Sequence, residues 1–445
     1  MNRRALGAVL GATLLLAACG GQAVQPGPSA APETREVTLV KAVRPTLVAT
    51  LDALRKNDLA AARAAFASYD AAWNGIEVYV NFRSRELYAA LENDFEAKIQ
   101  AALDVPQPDA AQIAPLVEEM IAKYDEAIAL VRNGPAISPL FDDVATIRIV
   151  RSSLRTVSPA LKANDIARAL SQYGTFQRGY PEALPLLKLR ASEIAQEVES
   201  AKAKVAAAFA QGRPAAAATL VDALVERYNA GLALVNAAAR NADLKKTAFT
   251  VEDTRQSVAL GAVDAELRAS LALWSAGDYA ASATHANRAK GERFDAVVAA
   301  LKARAADAAL KTALDNYVAL AGQAGDAAKV RAANKAALEA AGVAQQALVG
   351  QFWTDPKLHV AFVRGAVTML RDEDAARPAG YQTAWGLASV AELRYAVVAP
   401  QSESVVASLR ALRGAFPDAA KAPAPLPTKE AVTQLANGVD SALGR

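Results

Sequence analysis

Histidine and cysteine are nearly absent from this chain: two of the first and one of the second among 445 residues. That shortage all but excludes a zinc or copper centre, which is built on imidazole and thiolate ligands. A single cysteine also leaves no internal disulfide. Aromatic residues make up only 6%, and opposite charges nearly cancel to a formal net charge of +3. A nucleic-acid binder concentrates basic residues on one face, so nucleic acid is not an expected partner. There is no glycine-rich phosphate loop, no nucleophile elbow and no plausible Ser-His-Asp set, so nothing marks an enzyme. Alternating strand patterns are missing apart from the brief run Ile76 to Val80. No segment beyond Ala18 is apolar enough to span a bilayer.

What is present is alanine, the best helix former. The chain opens on Asn2-Arg3-Arg4 and an apolar stretch from Ala5 to Ala18. That stretch is too short for a membrane span with polar flanks, and residues 1–18 read as a signal peptide. It closes on Leu16-Ala17-Ala18-Cys19, which resembles the lipobox of bacterial lipoproteins. The resemblance implies cleavage before Cys19, lipidation of that residue, and a membrane-anchored lipoprotein of the cell envelope facing the periplasm or exterior. Residues 19–36, rich in Gly, Pro and Gln, read as a lipidated tether with a reach of about 20 Å.

Beyond the tether the chain repeats itself. Leu54-Arg55-Lys56-Asn57-Asp58-Leu59-Ala60 is echoed by Leu161-Lys162-Ala163-Asn164-Asp165-Ile166-Ala167 and by Trp274-Ser275-Ala276-Gly277-Asp278-Tyr279-Ala280. Asn and Gly tolerate the left-handed conformation and Asp caps a following helix, so each copy reads as a tight turn between helices. A second match runs from Leu116 through Tyr124 to Val131, against Leu220 through Tyr228 to Val235. The period of about 110 residues suits a small helical bundle, not a repeat of about 34 residues. The sequence therefore predicts an all-α protein of tandem helical bundles. Three repeats span 37–134, 135–245 and 246–350, with junctions near Gly134-Pro135 and from Ala242 to Thr250. A partial repeat spans 351–420, and 421–445 holds a Pro-rich linker and a terminal helix capped by Thr428.

The first repeat carries groups that the others lack. Asp70, Trp73 and Glu77 fall at i, i+3 and i+7 on one helix face, and Tyr88 and Glu92 at i and i+4 on another. The matching positions are Gln177, Tyr180, Leu184, Ala195 and Glu199 in the second repeat, and Lys290, Arg293, Val297 and Ala308 in the third. The plainer reading puts Glu77 and Glu92 on a solvated face, paired with neighbouring arginines. Asp142-Asp143, Glu193 with Glu197, and Arg371-Asp372-Glu373-Asp374 read as caps or solvated faces.

The run Trp73, Glu77, Ser84, Tyr88, Leu91-Glu92 resembles the helical extracytoplasmic region of bacterial high-affinity iron permeases and, more distantly, imelysin-type and EfeO-type iron-uptake proteins. The resemblance covers about 40 residues and implies a non-catalytic accessory in uptake of iron or another cation. Its partners would be the membrane, through the lipid anchor, and an iron permease or other envelope protein. Carried over, Glu77, Tyr88 and Glu92 become candidate metal ligands and Trp73 a packing anchor. These hard oxygen ligands suit iron and also calcium. The chain departs from the imelysin pattern, in which a histidine is followed three residues later by glutamate. His285 is followed by Ala286-Asn287-Arg288 and His359 by Val360-Ala361-Phe362. Nor does Arg85-Glu86 continue into the permease membrane motif Arg-Glu-x-x-Glu.

Convergence of these groups depends on local backbone. On one straight helix Glu77 and Glu92 stand about 22 Å apart. A break near Gly75 to Ser84 would bring Asp70, Glu77, Tyr88 and Glu92 together. The β-branched run after Gly75, the capping candidates Asn81 and Ser84, and Pro181 and Pro185 in the matching part of the second repeat predict that break. The competing function is a scaffolding lipoprotein that holds envelope partners on its helical faces.

Overall fold

The alanine-rich segments fold as helices, and no strand occurs among the described residues, 33–444 of the computed structural model. The expected signal peptide, Cys19 and nearly all of the expected tether lie outside the described residues. The protein is all-α. Its elements begin with α1 (Arg35–Arg55), α2 (Leu59–Ile76), α3 (Val78–Asn81) and α4 (Arg85–Ala89). A π-helical segment (Ala90–Glu96) follows, then α5 (Ala97–Asp104) and α6 (Ala110–Asn133). Next come α7 (Leu140–Lys162), α8 (Ile166–Arg190), α9 (Ser192–Ala210) and α10 (Pro214–Arg240). The third group is α11 (Val251–Ser275), α12 (Tyr279–Arg288), a second π segment (Ala289–Arg293), α13 (Val298–Lys302), α14 (Asp307–Ala321) and α15 (Ala327–Val349). A 3-10 turn (Gly350–Thr354) leads to α16 (Pro356–Asp372), α17 (Pro378–Tyr395), α18 (Glu403–Gly414) and α19 (Lys429–Ala442).

The Asn-Asp or Gly-Asp pair makes the same turn three times. Asn57, Asn164 and Gly277 are left-handed, with φ of 55°, 59° and 87°. The amide of the next aspartate donates to the carbonyl five residues back, Asp58 to Ala53 at 2.9 Å, Asp165 to Ala160 at 2.8 Å and Asp278 to Leu273 at 3.0 Å. Each aspartate then accepts from the amide three residues on, Ala61, Arg168 or Ala281, and so caps the next helix. One turn thus closes the preceding helix in a Schellman-type arrangement and opens the following one.

Packing extends the likeness. Phe66, Tyr69 and Trp73 of α2 form a buried column with Tyr124 of α6 set edge-on against it. Tyr173, Phe176 and Tyr180 of α8 form the same column, with Tyr228 of α10 in the role of Tyr124. At the corresponding positions in the third group stand Ala286, Ala289 and Arg293. The column is gone there, and Tyr317 of α14 fills part of the space with its hydroxyl donating to Ser270 Oγ at 2.9 Å.

The first two sequence units share one core, which runs from Val37 to Ala239. Helix α7 causes this: it packs against α2 as well as against α8 and α10. Gly75 permits the contact with α2, since a Cβ there would lie 2.4 Å from Ile149 Cγ1. The residues from Gly134 to Pro139 therefore form a surface turn over a continuous interior. Helix α11 is likewise shared. Its Val258, Ala262 and Ala265 belong to a core with α16 to α19, and its Leu260, Val263 and Leu267 to another with α12 to α15. Gly386 lets α17 lie directly on α11, because a Cβ there would meet Ala265 O at 2.3 Å. The Pro-rich run before α19 does not set that helix apart: Val432, Ala436 and Val439 share a core with Leu409, Leu412 and Phe416. Among the described residues no helix is long and apolar enough to cross a membrane.

Candidate functional site

The backbone turns where convergence requires it. Helical geometry continues from α2 through Glu77, whose amide donates to Trp73 O, into α3. The turn comes at 82–84. Ser84 is extended (φ −148°, ψ 106°), and its hydroxyl accepts from Leu87 N at 3.1 Å to cap α4. Asn81 is the last residue of α3 and caps nothing. Gly75 serves the contact with α7 and is not a break. The prolines of the second unit were a poor guide, since α8 runs unbroken through Pro181 and Pro185. A helix bears that loss of backbone bonding when its packed stripe compensates, here Phe176, Tyr180, Ala183 and Leu187, all buried. The second unit breaks at Ala191 (φ −149°) instead, which is the repeat equivalent of Ser84.

After Ser84 the chain loosens into the π segment, where Ala97 N donates to Glu92 O. That bond spans five residues, and such insertions often mark functional positions. Trp73 is fully buried and donates from Nε1 to Glu92 Oε1 at 2.6 Å. Glu77 is buried and ion-paired to Arg148 of α7. Burial, with Glu92 beside it, outweighs Arg148 and raises the Glu77 carboxyl to about 7. Glu96 is pushed up to about 9 by burial first, then by Glu92 and Asp70. Asp70 accepts from Asn74 Nδ2 at 2.6 Å, and Asn74 Oδ1 accepts from Arg155 at 3.0 Å. Tyr88 is half-buried and raised to about 12 by burial, Glu77 and Glu92. Tyr69 lies against the same group: burial, then Glu96, Tyr124, Glu92 and Asp70, raise it well above its ordinary value. Tyr69 Oη and Glu96 Oε2 are buried with no hydrogen-bond partner among the described residues.

Asp70, Glu77, Tyr88 and Glu92 thus lie in one cluster, and Glu77 is not on a solvated face. Sequence reasoning missed three members. Glu96 lies one turn beyond Glu92 and was within reach of the same face argument. Tyr69 reads as plain core. Arg148 comes from the next unit and leaves no local signal. The carboxyls meet in pairs, Glu77 with Glu92 and Glu96 with Asp70. Among the described residues no three His, Cys, Asp or Glu side chains surround a common point closely enough to hold a metal ion. With four carboxyls against one directly paired guanidinium, the cluster holds protons on Glu77 and Glu96 beyond the usual carboxylate range.

That chemistry fixes a pH dependence. The folded carboxyls bind protons up to about 7 at Glu77 and about 9 at Glu96, whereas the unfolded chain releases them near 4.5. Their stabilisation is complete below about pH 4.5 and is lost as pH rises through 7 and then 9. The melting temperature is expected to fall by several degrees between pH 5 and 9. Thermal unfolding of wild type against a Glu77→Gln, Glu96→Gln variant checks this, with the variant giving a flatter profile.

Other units keep the position of Trp73 polar at its tip and aimed at an acid. Tyr180 faces Glu199, and burial together with that carboxylate raises its phenol. Arg293 bonds Glu266 at 3.2 Å and Glu373 at 2.5 Å. This third case belongs to a network in which every group has a partner. Glu266 and His285 have no exposure, and His285 Nδ1 lies 2.5 Å from Glu266 Oε2 and its Nε2 2.9 Å from Gln382 Oε1. Arg288 donates to Thr383 Oγ1 at 2.7 Å and lies 3.4 Å from Glu266. His359 is bonded to Trp353 O at 2.6 Å and lowered to about 4 by burial and Arg394. Of the minor acidic groups, Asp142 and Asp143 sit in the first turn of α7, and Asp142 accepts from Tyr79 Oη at 2.6 Å. No protein-family model, no curated protein and no solved structure matches this chain.

Proposed function

We propose that the chain is a non-catalytic lipoprotein, anchored through Cys19 and facing the periplasm or exterior, that assists uptake of iron or another hard cation. The cation is taken at Asp70, Glu77, Tyr88 and Glu92, with Glu96 as a fifth oxygen donor, and is passed to a membrane permease. One observation carries the reading: acids and phenols from α2, its C-terminal cap Glu77, α4 and the π segment share one cluster in which only Glu77 is ion-paired, to Arg148. Oxygen donors of this kind select hard cations. Because the carboxyls face each other in pairs, uptake of an ion turns them toward a common point and releases the protons of Glu77 and Glu96.

Calorimetric titration with ferric citrate and with calcium tests the proposal. Wild type is expected to bind one cation at pH 8, more weakly at pH 5.5, with proton release visible as a dependence on buffer ionisation enthalpy. A Glu77→Gln, Glu92→Gln variant is expected to bind at least tenfold more weakly. Equal binding by both proteins, or none by either, sinks the proposal and leaves the scaffolding function standing.

A further inference from the structure

A cavity of about 270 Å³ lies between the α8–α9 turn, α10, α11, α15 and α17. The turn at Ala191 directs Arg190 inward, where it is 5% exposed and donates to Gln346 Oε1 at 3.1 Å and Gly350 O at 3.3 Å. From α17, Arg394 lies over the Trp353 ring at 4.3 Å and donates to Gln345 Oε1. Neither guanidinium has a carboxylate within ion-pair distance among the described residues. Arg268, a half-buried cation of the wall, is held by Asp264 at 2.5 Å and Glu193 at 3.7 Å. Lys335 is held by Glu197 at 2.5 Å and Glu339 at 3.4 Å. Burial lowers both Arg190 and Arg394 to about 10. Asp264 and Glu193 act on Arg394, and Asp143 on Arg190, only from beyond ion-pair distance. A desolvated guanidinium without a directly paired carboxylate is costly, and its planar fork matches one. The rest of the wall is apolar at Leu234, Leu338 and Trp353, and the rim exposes Leu189, Leu393 and Val397.

We propose that this cavity binds a small organic monocarboxylate with an apolar tail. Arg394 takes the carboxylate, Arg190 adds positive potential, and the tail runs along Trp353 and out past Leu393 and Val397. The acids of the wall, Glu193, Glu197, Asp264 and Glu339, stay with their cations and repel a second negative charge, so dicarboxylates are disfavoured. The site is independent of the acidic cluster in the first unit.

Titration calorimetry on the full chain uses octanoate, octylamine and octanol as probes. Octanoate is expected to bind saturably at one site, more tightly than shorter carboxylates, and octylamine not at all. Arg394→Gln is expected to weaken octanoate at least tenfold. Should that variant lose its helical circular dichroism, Val397→Glu at the exposed rim decides, with a similar loss expected from repulsion at the mouth. Absence of saturable octanoate binding to wild type, undiminished binding by the deciding variant, or equal binding of octylamine overturns the proposal.

Discussion

Glu266→Leu is expected to destabilise the protein by about 3–5 kcal/mol, the cost of removing one partner from a buried ionic network. Glu266 has no exposure and is the carboxylate shared by Arg288, Arg293 and His285. Among the described residues, leucine leaves Glu373 as the only acid within ion-pair reach of both arginines apart from the exposed Glu292. Chemical denaturation of the full chain measures the loss. An Arg293→Leu, Glu266→Leu double variant is expected to recover part of it, because an apolar pair is cheaper in the interior than a lone cation. A shift below about 1 kcal/mol for the single variant would place the network among ordinary surface pairs.

Trp73 permits a cleaner dissection. Trp73→Ala empties a fully buried site between Tyr69 and Tyr124 and is expected to cost about 3–5 kcal/mol. Trp73→Phe keeps a ring in the column but removes the donor to Glu92 Oε1. Its expected cost is about 1–3 kcal/mol, that of leaving a part-buried acceptor unsatisfied. Chemical denaturation of both variants measures this, and a Phe variant as stable as wild type would reduce Trp73 to a packing residue.

Much of the fold was readable because its signals are local. Alanine content, helical spacing and the Asn57-Asp58, Asn164-Asp165 and Gly277-Asp278 pairs each act within a turn or two of chain, and the structure carries out the same hydrogen bonds at all three. The break before Tyr88 was readable for the same reason, since Ser84 caps a helix three residues on. Pro181 and Pro185 misled because whether a helix tolerates proline depends on burial by distant helices. Arg148 and the continuous core of the first two units depend on α7 crossing α2, which the 3.6-residue period of either helix does not encode. The same holds for the Glu266 network, whose members span 266 to 383 and come from three separate stretches of chain.

Helix α11 has a mechanical consequence. Because one face of it completes the interior of α12 to α15 and another completes that of α16 to α19, neither interior has a wall of its own on that side. Strain applied to one set of helices loads the other through a shared beam. Cutting the chain after Thr354 would bare Val258, Ala262 and Ala265 to water and cost the upstream helices a supporting surface, even though none of their own residues is lost. The C-terminal half is therefore expected to open and close as one cooperative unit despite having two interiors.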